Sequence, residues 1–137
     1  MLKNISRILI VIGGIIAAIA GVSLLVLGIV LIVCGNLPAF RNFVIDGINN
    51  GTFQTDMTGT PEEIAIYVQK SLTVLAVIFL IISVFSIASS SFSFISQGKN
   101  KQSTHILNII FGTFSENVLS IAGSVIYLIE LKNEEEV

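Results

Sequence analysis

Two stretches of this chain carry no charged residue: Ile8 to Gly35 and Leu72 to Ile95. No other feature restricts the fold so severely. An uncharged apolar run of about 18 residues or more reads as a membrane span, because about 30 Å of hydrocarbon takes about 20 helical residues to cross. Inside hydrocarbon every backbone amide must find its partner within the chain, so such runs are helices. Of the 137 residues, 53% are hydrophobic and only 12% charged, about half the charge of an ordinary soluble domain. The expected fold is an all-α integral membrane protein, with residues 1–137 forming one membrane domain.

The first run starts like a secretory signal, with Lys3 and Arg7 ahead of it and a small-x-small pattern at Ala18-Ile19-Ala20. It then stays apolar as far as Cys34, well past the length of a signal's apolar region, so an uncleaved span is expected. Cys34 follows Val33, a bulky residue where lipid-attachment signals want a small one, and reads as a buried small hydrophobe. As the only cysteine it excludes an internal disulfide.

The predicted spans are residues 8–34, 71–96 and 105–131, with a helical loop at 36–70, a turn at 97–103 and an acidic tail at 132–137. Lys3, Arg7, Lys99 and Lys101 stand on the amino end and the turn without any acid. By the bias of Lys and Arg toward cytoplasmic loops, both are expected in the cytoplasm and 36–70 outside. In that outer loop Asn36 is a candidate cap for a helix with Pro38 in its first turn. Phe40, Phe43, Val44 and Ile48 recur there at helical spacing, an amphipathic face suited to a partner or to the lipid surface. Thr60-Pro61-Glu62-Glu63 is a second helix start, from which the second span grows without a break.

Between membrane helices, small residues decide where backbones approach. Gly14, Gly21, Gly28 and Gly35 fall seven apart and project to nearly one side of the first span. On the second, Ser83, Ser86, Ser90 and Ser93 step by three, four and three, with Ser89 and Ser96 alongside. The glycine strip and the serine stripe are the expected helix-packing faces.

Wound as one helix, the third run puts Leu107, Ile110, Phe111, Phe114, Val118 and Ile121 on a lipid side. Asn108, Gly112, Glu116, Ser120, Gly123, Ser124 and Tyr127 share the protein side. The expectation is a bundle of three transmembrane helices. The alternative is four segments, the last two short and broken at Ser115-Glu116-Asn117. Glu116 is the one acid deep in an apolar run; with Asn117 and Asn108 it forms a candidate intramembrane polar site. His105 is expected at the cytoplasmic edge.

Nothing in the sequence has the spacing of a nucleophile–base pair, a metal-ligand cluster or a phosphate loop, and no basic cluster suits nucleic acid. No enzyme activity, cofactor, metal site or small-molecule substrate is expected.

The layout resembles a family of small multi-span membrane proteins of Gram-positive bacteria, catalogued as a domain of unknown function. The resemblance rests on Ile12-Gly13-Gly14-Ile15-Ile16 in the first span and on Leu37-Pro38-Ala39-Phe40-Arg41-Asn42-Phe43-Val44 in the outer helix. Pro61-Glu62-Glu63-Ile64 and the closing Ile121-Ala122-Gly123-Ser124-Val125-Ile126-Tyr127-Leu128 complete it. Family members end in basic residues, implying a cytoplasmic tail and four segments; here the tail is Glu134-Glu135-Glu136. The resemblance implies a location in the bacterial cytoplasmic membrane and brings no activity with it. The expected role is non-enzymatic, through contacts with the lipid bilayer, other membrane proteins or a second copy, as an accessory, envelope or immunity-type protein. The alternative is a small oligomeric transporter or channel using Glu116.

Overall fold

The computed structural model describes residues 2–98 and 102–135. Lys99 and Lys101 of the basic turn and Glu136 of the acidic tail lie outside the described residues. Five helices account for nearly everything else: α1 (Leu2–Gly35), α2 (Pro38–Asn49), α3 (Pro61–Gly98), α4 (Gln102–Phe114) and α5 (Val118–Glu135). No strand occurs among the described residues. α1 and α3 are long and apolar enough to cross a membrane; at 34 and 38 residues they extend for about 50 and 57 Å.

The helix boundaries follow from local chemistry. At the end of α1 the Asn36 side chain turns back and donates to the Ile32 carbonyl at 2.7 Å. It therefore closes α1 and does not cap α2, whose cap position falls to Leu37, with no side-chain bond, ahead of Pro38. At α3 the capping box is complete: Glu63 N–H donates to Thr60 Oγ1 at 3.3 Å and Thr60 N–H to Glu63 Oε2 at 2.9 Å. Cys34, expected to be buried, is exposed, because it lies off the side that Gly28 and Gly35 turn inward.

The third apolar run is two helices, so the single-helix reading of 105–131 does not hold and the four-segment alternative describes it. α4 closes with Asn117 N–H on the Gly112 carbonyl at 2.8 Å and Glu116 N–H on Thr113 at 3.4 Å. This is the left-handed helix ending usually built on glycine, and Glu116 takes it with φ +55°. Asn117 then caps the next helix, its Oδ1 accepting from Ser120 N–H at 3.3 Å. Because the chain reverses, residues assigned to opposite faces of one helix meet: a Cβ on Gly112 would lie 2.9 Å from Ile121. Phe111 and Phe114 stack on α3, with Phe111 5.1 Å from Phe92 and Phe114 4.9 Å from Phe85 between ring centroids; Phe111 is half-buried by this, whereas Phe114 stays exposed, as expected of a lipid-facing position.

The chain forms two compact units. One combines the chain up to Leu24 with the chain from Ile81 onward, and the other is Leu25–Leu80. In the first, α1 packs against α3 and α5, while α4 lies on α3 and α5. Lys3 near the start of α1 is paired with Glu134 near the end of α5. That carboxylate holds the Lys3 ammonium above its ordinary pKa. In the second unit, α2 and the segment after it fold over the start of α3, with Phe53 N–H donating to the Gly47 carbonyl at 2.8 Å.

Candidate functional site

The helix contacts are set by glycine. In the first unit, a Cβ added to Gly14 would come within 2.8 Å of Ser93 Cβ. One added to Gly21 would meet Ile87 at 2.8 Å and Ser86 at 3.2 Å. The two serines are seven residues apart, like the two glycines, so the antiparallel helices keep step over that distance. Within the second unit, Gly28 lies against Leu80 and the Ala76 carbonyl, and Gly35 against Leu72, the last at an ordinary 3.7 Å. The strip thus faces Ser93 at its first position, Ile87 with Ser86 at its second, and aliphatic side chains at the others. Ser83, Ser86, Ser90 and Ser93 are all buried.

A second glycine contact, on α1's adjacent face, had no expectation attached to it. A Cβ on Gly13 would fall 2.5 Å from Ser120 Oγ and 2.8 Å from Asn117 Oδ1. Gly123 of α5 is equally tight against Ile10 and the Ser6 carbonyl, and Ser6 Oγ donates to the Gly123 carbonyl at 2.7 Å. Gly13 stood in the sequence beside Gly14. Its role was illegible because adjacent glycines point about 100° apart and only one of them belongs to the heptad.

Between these close approaches lies a polar core. Ser93 Oγ sits 2.8 Å from the Ser89 carbonyl, 3.0 Å from Asn108 Oδ1 and 2.8 Å from Ser120 Oγ. Its single proton serves one acceptor at a time. Asn108 Nδ2 donates to Ser124 Oγ at 2.9 Å. Asn117 Nδ2 has the Gly13 carbonyl, Ser89 Oγ and Ser120 Oγ within 3.0–3.1 Å. Asn108, Ser93, Ser120 and Ser124 are fully buried. His105, expected at an interface, is buried as well and stacks on Tyr127 with centroids 3.9 Å apart.

Glu116 is not a member of this network. Its neighbour Asn117 and the more distant Asn108 turn inward, whereas the Glu116 side chain is exposed beside an open cleft of about 210 Å³ lined by Ile16, Ala17, Ser115 and Asn117. The three residues grouped by sequence are therefore separated: two hold helices together, and the third occupies the turn.

Helix α2 carries a different feature. Phe40, Phe43, Val44 and Ile48 line an open apolar cavity of about 310 Å³ within the second unit, together with Phe53 and Ile64 among others. Phe43 and Phe53 meet edge-to-face at 5.3 Å. Gly47 lets Phe53 come so close that any Cβ would collide with its ring. No sequence signal marks Phe53, which stands in a polar stretch, Asn50–Gln54, without periodicity.

Among the described residues no group of His, Cys, Asp and Glu could hold a metal ion. Comparison of the chain with known protein families, curated proteins and solved structures finds no match.

Proposed function

We propose that this chain is a non-enzymatic, multi-pass protein of the bacterial cytoplasmic membrane that works through helix and partner contacts. One observation carries the reading: polar side chains fill the interior and aliphatic ones cover the outside. Ser6, Ser83, Ser89, Ser93, Asn108, Ser120 and Ser124 are buried, while Ile19 is 66% exposed, Val84 63% and Val118 69%. In water this arrangement would forgo the main driving force of folding, about 25 cal/mol for each Å² of apolar surface left wet. In hydrocarbon the apolar side gains nothing from burial, and hydroxyls and amides are the groups that seek partners inside.

Under this reading α1 and α3 cross the bilayer and α4–α5 is a hairpin that enters and returns. The Lys3–Glu134 pair supports that return, since it joins the far end of α5 to the start of α1. The acidic tail then lies on the cytoplasmic side with the amino end. Extraction of membranes with alkaline carbonate tests the location: the protein stays in the pellet and leaves only with detergent. Recovery in the carbonate supernatant would overturn the proposal.

The transport reading draws its support from the exposed carboxyl of Glu116 beside the open cleft. Proton or solute flux into proteoliposomes, compared between the native chain and Glu116→Gln, decides it. The contact reading predicts no flux that depends on this carboxyl, and a flux abolished by the substitution would favour transport.

A further inference from the structure

We infer that the Glu116 carboxyl pairs, inside the bilayer, with a Lys or Arg near the middle of a transmembrane helix of another protein, an inference that rests on the membrane reading above. Depth makes this carboxyl costly. Glu116 shares its cleft with Ile16 and Ala17 of α1, and Asn117 beside it donates to the Gly13 carbonyl at 3.0 Å. Ile16 and Ala17 come nine and ten residues after Arg7, the last charge of the amino end. That is about 13–15 Å along a helix, close to the middle of a hydrocarbon layer of about 30 Å. Ionisable groups at such depth pair with one another or face a polar interior. Glu116 does neither: it is exposed, and among the described residues its carboxyl makes no hydrogen bond or ion pair.

Charge selects the partner. None of the chain's seven Lys and Arg lies between Ile8 and Gly35, between Leu72 and Ile95 or between His105 and Leu131. A second copy in the same orientation therefore brings no cation to this depth, and the cation comes from a different chain. The backbone points the same way. Glu116 holds a left-handed position at φ +55°, where glycine or asparagine would close the helix at less cost. The turn itself makes no use of the carboxyl, which is kept against both backbone strain and the hydrocarbon. Size then decides what enters. The cleft, about 210 Å³, is smaller than small-molecule sites of about 300–1,000 Å³, so it seats one side chain and not a solute. Ala17 and Ser115 on its wall are small and let a neighbouring helix approach. An ammonium or guanidinium placed there meets Glu116 in a charge-assisted hydrogen bond, out of reach of water.

The test puts a photoreactive p-benzoylphenylalanine in place of Val118, which lines the cleft and is exposed, in the full chain in living cells. After illumination the crosslinked product is digested and the partner peptide sequenced. The expected peptide comes from a transmembrane helix with a Lys or Arg near its middle. The yield of this product is expected to fall about tenfold or more in Glu116→Gln and in Glu116→Lys. It is expected to return in Glu116→Lys when the partner's base is changed to Glu, which separates lost pairing from a folding defect. Crosslinks to lipid alone, to a second copy of the chain or to a helix without a base in its span overturn the inference and leave the membrane reading standing. So do the absence of any crosslink, a yield unchanged in Glu116→Gln, and failure of the charge exchange to restore it. Release of the native chain from membranes by alkaline carbonate overturns the membrane reading itself.

Discussion

Glycine positions differ sharply in what they tolerate, and the distances rank them. Gly21 faces Ile87 and Ser86 across a gap that a methyl group already overfills. Gly21→Leu is expected to cost about 1–3 kcal/mol through forced separation of the helices, read as a lower unfolding midpoint in detergent. Gly35→Ala is the control, because its new Cβ would sit at an ordinary 3.7 Å from Leu72, and its midpoint is expected to stay close to the parent's. Glu116 gives the opposite prediction. It occupies a left-handed conformation with φ +55°, which costs a side-chain-bearing residue about 1 kcal/mol relative to glycine. Glu116→Gly is therefore expected to raise the unfolding midpoint. A lowered midpoint would mean that the carboxyl makes a stabilising contact outside this chain's own network.

At the scale of the helix, Asn117 performs two tasks that substitutions can separate. Its Oδ1 caps α5, and its Nδ2 reaches Gly13 on α1 and Ser89 on α3. Asn117→Ser keeps a capping oxygen and removes the cross-helix donor without burying a charge, while Asn117→Ala removes both. Hydrogen bonds between membrane helices average about 0.6 kcal/mol and a lost cap costs about 1 kcal/mol. The alanine variant should thus be the less stable of the two in detergent unfolding. Equal losses would show that the cap oxygen contributes nothing. These magnitudes also rank the forces within the unit. Ser93 has three partners, so deletion of any single network bond leaves substitutes, whereas an overfilled glycine contact has none. Close backbone approach holds the helices; the polar side chains choose their register.

For the molecule as a whole, the membrane reading proposed above turns on the number of crossings. With Cys34→Ser as background, cysteines at Thr52 and Asn133 report the two ends, both positions being exposed. A membrane-impermeant maleimide added outside intact cells is expected to label position 52 and not 133. Labelling of 133 from outside would sink the hairpin reading of α4–α5 and restore a third crossing. Lys3→Glu places a like charge against Glu134 and should loosen the start of α1 from the end of α5, seen as faster amide exchange in the last turn of α5 with the spans unaffected.

The apolar runs, the cap at Thr60, the helix start at Pro38, and the faces of α1 and α3 were legible in the amino acids; the cap expected at Asn36 was not formed. Each depends on residues a few positions apart along one helix, where geometry is fixed by 3.6 residues per turn. The reversal at 115–117 was legible only as an alternative. Its signal, Ser-Glu-Asn without glycine or proline, is weak, and an unbroken 3.6-residue pattern across the break favoured one helix. That pattern persisted because α4 and α5 each bury their own small and polar residues, against different neighbours. Gly13, Phe53 and the pairing of Asn117 with Gly13 could not be read at all, since their partners lie 104 residues away for Asn117 and in an unpatterned loop for Gly47. Sequence by itself determined which segments are helical and which of their faces are small, polar or greasy. Only the tertiary structure decided which face meets which, because that choice depends on how closely two backbones approach, and a distance of that kind is a property of the pair.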